Sequence, residues 1–80
     1  MTTDPNVLAV VRGYLVADIR GRLVGRVEGA DPGAGGGRLT VRGRLPLRRK
    51  RLVPSGAIDE IDTTSGVISL SVEREALRSV

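Results

Sequence analysis

The stretch Val16 to Val27, Val-Ala-Asp-Ile-Arg-Gly-Arg-Leu-Val-Gly-Arg-Val, constrains this chain more than any other. A short apolar strand runs into a turn at Gly21, and a second strand follows that is interrupted at Gly25. The pattern predicts a β-hairpin whose second arm bulges or bends at the glycine. In that arm Val24 and Val27 fall on opposite sides of a regular strand, and a bulge at Gly25 turns both toward one core. The first arm reads as about Tyr14 to Ile19 and the second as about Arg22 to Ala30.

Further strand-length segments follow. Leu39 to Gly43 alternates Leu39 and Val41 against Thr40 and Arg42, and Arg49 to Pro54 ends in Leu52-Val53-Pro54. Ile58 and Ile61 mark a short fifth element. Val67 to Val72 gives the clearest alternation, with Ile68, Leu70 and Val72 against Ser69 and Ser71, the period of a half-buried strand. Asp31 to Gly37 is a loop by composition. Ser71 is placed to cap a last helical turn, with Glu73 and Glu75 in its first turn and Arg78 near its end.

Of the 80 residues, 24 are Val, Leu or Ile, against one Tyr and no Phe or Trp. Branched aliphatic side chains suit a pleated, half-buried surface, and eleven glycines and four prolines break the chain into short pieces. The expected fold is all-β: a small antiparallel β-barrel of five or six short strands with a short C-terminal helical turn. Residues 1–11 read as an N-terminal segment with a short helix that starts at Asp4-Pro5, although Val10 and Val11 suit a strand equally well. Residues 12–80 read as a single domain. So small a chain has a thin stability margin, and pairing with a second copy is one way to widen it.

Val16, Asp18, Gly21, the pair Val24-Gly25 and Val27, followed by Val53-Pro54, Ile58 and a final strand with a short acidic helix at Val67 to Leu77, resemble a PRC-barrel domain. The resemblance covers roughly Arg12 to Arg78. Two positions depart from the family pattern. Arg20 stands before the turn glycine where Asp or Asn is usual, and the third strand offers Leu39 and Val41 where aromatics are common. The family is shared by the photosynthetic reaction centre H subunit and a ribosome maturation factor. It implies a small docking barrel, an adaptor for other proteins that in some members pairs with itself, and no catalysis.

The chain has neither Cys nor His. That removes disulfides, thiol chemistry, the usual general base near neutral pH and the commonest zinc ligands, so no catalytic residue, cofactor or metal site is expected. Asp59, Glu60 and Asp62 lack the spacing of a calcium loop and read as a solvated strand face. The glycines from Gly33 to Gly37 lead through Arg38-Leu39-Thr40 into a strand, which fits neither a dinucleotide nor a Walker loop. No signal peptide or spanning segment is evident, and a cytoplasmic location is expected.

Formal net charge is +4, with twelve Arg and one Lys. The Arg bias fits bidentate phosphate contacts, but with Gly, Ala and Val also abundant a GC-rich coding sequence is the favoured reading. Arg48-Arg49-Lys50-Arg51, with Arg42 and Arg44 upstream, is the sharpest local feature and the expected partner-binding segment. On a strand Arg49 and Arg51 face one way and Arg48 and Lys50 the other. The run reads first as a charged edge that discourages aggregation, next as a surface for an acidic protein partner, and last as a contact for RNA in an RNA- or ribosome-associated role. With Tyr14 as the sole aromatic, base stacking is poorly served. Attachment to a membrane surface lacks an apolar helix face or a lipidation motif.

Overall fold

The computed structural model describes residues 11–31, 37–44 and 49–79. The expected N-terminal helix falls almost wholly outside these residues, as do Gly33 to Gly36 and Arg48. Seven strands follow in chain order: β1 (Leu15–Ala17), β2 (Leu23–Asp31), β3 (Arg38–Arg42), β4 (Lys50–Pro54), β5 (Ile58–Asp62), β6 (Val67–Leu70) and β7 (Arg78–Ser79). Short 3-10 turns at Ser55–Ala57 and Arg74–Ala76 precede β5 and β7. All strands lie in one sheet of order β5-β6-β1-β2-β3-β4-β7.

The fold is the expected small, almost wholly β, barrel-like one, with three differences. Among the described residues the strands number seven rather than five or six, because Arg78–Ser79 form β7 beside β4. Not all pairs are antiparallel, since β1 runs parallel to β6. No hydrogen-bonded pair joins β5 to β7, so the sheet keeps two edges among the described residues.

Two bulges shape β2. In the first, Val16 and Ala17 of β1 pair with Gly25 and Leu23, leaving Val24 as the extra residue. Val24 and Val27 are therefore both buried despite their opposite parity. Gly25 has a second reason to be glycine. A Cβ there would sit 2.1 Å from the carbonyl oxygen of Arg42, so its absence is what lets β2 and β3 close up. In the second bulge Val27 and Gly29 pair with Val41 and Thr40, and Glu28 is the extra residue.

The inward residues form one aliphatic core: Val16 from β1, Val24 and Val27 from β2, Leu39 and Val41 from β3, Val53 from β4, Ile68 and Leu70 from β6, and Leu77 from the C-terminal segment. Val11 joins them, so the core begins inside the segment read from sequence as N-terminal to the domain. Full burial of each such side chain contributes roughly 1.5–3 kcal/mol, which is how a chain without Phe or Trp holds a sheet. No helix among the described residues is long and apolar enough to cross a membrane.

The C-terminal turn is fastened differently from expectation. Ser71 does not cap it; its hydroxyl donates to the carbonyl of Ala57 at 3.3 Å. The cap is Asp18, whose Oδ2 accepts the N–H of Arg74 at 3.0 Å from across the molecule.

Candidate functional site

Charged side chains gather at two places, and the two differ in balance. The first surrounds the β1–β2 turn. Asp18 is buried, and its Oδ1 accepts the N–H groups of Arg20 and Arg22 at 3.0 and 2.9 Å. Its Oδ2 accepts the Arg22 guanidinium at 2.8 Å together with the N–H of Arg74. Burial acts to raise its pKa, but the N–H groups of Arg74 and Arg22 and the Arg22 guanidinium outweigh that and hold the carboxyl far below the ordinary range. Arg22 also binds Glu75, and Arg20 meets Glu73 at 2.9 Å. Arg74 reaches Glu75 at 3.2 Å. Three cations face three carboxylates, so this cluster is neutral and tied to itself. It is a clip that binds the first turn to the C-terminal segment.

The second gathering is not balanced. Antiparallel pairing sets Arg26 of β2 opposite Arg42 of β3, and Arg42 opposite Lys50 of β4. Directly opposed residues share a face, so the three cations form a row across about 10 Å of the outer sheet surface. Like charges in such a row repel unless something compensates. The second bulge supplies partial compensation. It presents Glu28 so that the carboxylate meets Arg42 on one side and Lys50, at 3.2 Å, on the other. Arg26 donates to the carbonyl of Gly13 at 3.1 Å, and Arg12 donates to the carbonyl of Glu28 at 3.3 Å. Exposed Arg44 follows Arg42 and makes no ion pair among the described residues. Among the described residues the surface is left with a net positive charge.

The expected site residues are thus divided. Arg42 and Lys50 belong to the row, and Arg44 follows Arg42 along the chain just past the end of β3. Arg51 belongs to the opposite parity of β4 from Lys50, and Arg49 immediately precedes the strand, so the basic run does not act as one flat patch; Arg51 sits opposite the inward Val41 and is half-buried. Arg48 lies outside the described residues. Arg26 and Arg12 were not among the expected residues, because their place beside Arg42 depends on strand register. Arg42, set with Thr40 on the polar side of the third predicted strand, is the signal the sequence offers for such a face.

A separate apolar groove of about 340 Å³ opens beside the β4–β7 edge. Leu52, Pro54, Val72 and Leu77 line it, with Arg38 and Arg78 at its rim.

Fold and site together define a small all-β, barrel-like domain with a cationic sheet face. The sequence matches no protein-family model and no curated protein. Among solved structures the fold is similar to that of a 16S ribosomal RNA processing protein, RimM of Pseudomonas aeruginosa, with a TM-score of 0.73 at 20% identity. The likeness covers 85% of this chain and 44% of that one, so the chain spans less than half of that protein's length. At that identity the likeness is one of fold, and it agrees with the PRC-barrel-like architecture drawn from Val16 to Val27 and Val53-Pro54.

Proposed function

We propose that this chain is a non-enzymatic binding domain of RNA-containing, ribosome-type assemblies, and that it holds RNA phosphates on the Arg26–Arg42–Lys50 row. The observation that carries this is the row itself. Stability alone does not call for three aligned cations of which one carboxylate compensates two, and a phosphate backbone is the partner that such a row complements. The fold shared with a 16S ribosomal RNA processing protein supports the same reading. Without aromatics beyond Tyr14, whose hydroxyl faces the carbonyl of Thr63 at 3.5 Å, contact is with phosphates and shape rather than with splayed bases. The absence of His and Cys supports a non-catalytic role.

The test is fluorescence anisotropy with a structured fragment of 16S ribosomal RNA across a salt series. Affinity is expected to fall steeply with salt, and R42A/K50A to bind roughly tenfold or more weakly with a salt slope reduced by about 1–2. Binding that ignores both salt and these substitutions, or no binding at low salt, overturns the assignment.

A protein adaptor of PRC-barrel type is the second reading, favoured by the apolar groove at Leu52, Val72 and Leu77. Affinity capture with and without nuclease separates the two. A catch lost on nuclease treatment supports RNA; one or two dominant proteins that survive it support the adaptor.

A further inference from the structure

Among the described residues the sheet has two edges, and they carry opposite charge. β5 pairs with β6 on one side and with no strand among the described residues on the other, and every residue of it after Ile58 is exposed. Its sequence, Ile-Asp-Glu-Ile-Asp, presents Asp59 and Glu60, which meet no cation among the described residues, and the exposed Ile61. At the far edge β7 covers only Arg51 and Leu52 of β4 and is itself two residues long. Arg49, Arg51 and Arg78 line that edge without an ion pair among the described residues. Arg78 also lines the apolar groove at Leu52, Val72 and Leu77.

Free strand edges are templates for another strand, and charge on them decides which strand is admitted. An acidic β5 set against another β5 opposes carboxylate to carboxylate, and two β4–β7 edges oppose arginine to arginine. Unlike edges attract. We propose that a second copy of this chain docks edge to edge, its β5 beside the β4–β7 edge of the first. Asp59 and Glu60 then meet the unpaired arginines, and Ile61 approaches the groove. Two such contacts about a twofold axis close a dimer, whereas a single contact leaves a free edge at each end and allows a chain of copies.

Sedimentation velocity of the full chain, without RNA, tests this independently of the RNA reading. At roughly 0.05 M salt the mass should rise with concentration above the 8.5 kDa of one chain and return to it at about 0.5 M, where exposed charges are screened. D59K/E60K makes both edges basic and R49E/R78E makes both acidic, so each variant alone should associate at least about tenfold more weakly. An equimolar mixture of the two should regain association, because each supplies the edge the other lacks. Circular dichroism verifies the fold; where a reversal unfolds the chain, D59N/E60Q and R49Q/R78Q are read in its place, each weakening association. A wild-type chain that keeps the mass of one copy throughout, variants that associate like the wild type, or a mixture of folded reversals no heavier than its parts overturns the proposal.

Discussion

At the scale of single residues Asp18 has the largest task. A buried carboxylate is costly unless its oxygens are satisfied, and here the N–H groups of Arg20, Arg22 and Arg74 and the Arg22 guanidinium satisfy them. The contact with Arg74 spans 56 positions of sequence, so one side chain couples the first turn to the end of the chain. Asp18→Asn keeps the shape but replaces an acceptor oxygen with a donor that faces other donors. Its melting temperature is expected to fall by roughly 10 °C or more. A fall of only a degree or two, measured by circular dichroism, would mean that the clip contributes little.

At the scale of elements the bulges of β2 decide what the sheet can do. The first brings Val24 and Val27 into the core and β3 against Gly25; the second sets Glu28 between Arg42 and Lys50. Gly25→Ala puts a methyl group 2.1 Å from the Arg42 carbonyl oxygen, and backbone on both strands must move. The expected loss is on the order of 3 kcal/mol or more. Gly29→Ala, in the same strand but with open space at its Cβ, is the control and should change stability by less than about 1 kcal/mol. Equal losses in the two would refute the close-approach argument. The sequence made the first bulge legible, because opposite parity at Val24 and Val27 with a glycine between them has few other solutions. It did not reveal the second, since Glu28 follows Val27 with no parity conflict to betray an extra residue. The cation row was hidden for a related reason. Arg26, Arg42 and Lys50 become neighbours through register, which depends on where both bulges fall, whereas the contiguous run at Arg48 to Arg51 drew attention although strand alternation splits it. The cap on the C-terminal turn was misplaced because Ser71 is near in sequence and Asp18 is near in space.

For the molecule as a whole, the distribution of charge sets how stability responds to acid. With no His and no Cys, no side chain has an ordinary pKa between about 5 and 8. Stability is therefore expected to be nearly flat across that range. Below it, three carboxyls matter. Asp18 is held low by the contacts already described, against the opposing effect of burial. Asp62 is lowered by the Ser65 hydroxyl and by the N–H groups of Ser65 and Thr64, and Glu75 chiefly by the Arg22 side chain. Each resists protonation in the folded chain more than in the unfolded one, so the unfolded chain takes up protons first as the pH falls. The stability these groups contribute is fully present above the unfolded carboxylate pKa of about 4 and is lost as pH drops from there toward the folded-state values. Working at about 0.5 M salt weakens the exposed pairs and any edge-to-edge association, leaving the buried Asp18 contacts as the main source of the slope. Thermal melts from pH 8 to pH 2 should then show a plateau followed by a steep fall below about pH 4, and Asp18→Asn should show a lower plateau with a shallower fall. If the two proteins lose stability in parallel as the acid limb is entered, the pH dependence lies elsewhere and Asp18 is not the group that couples folding to acid.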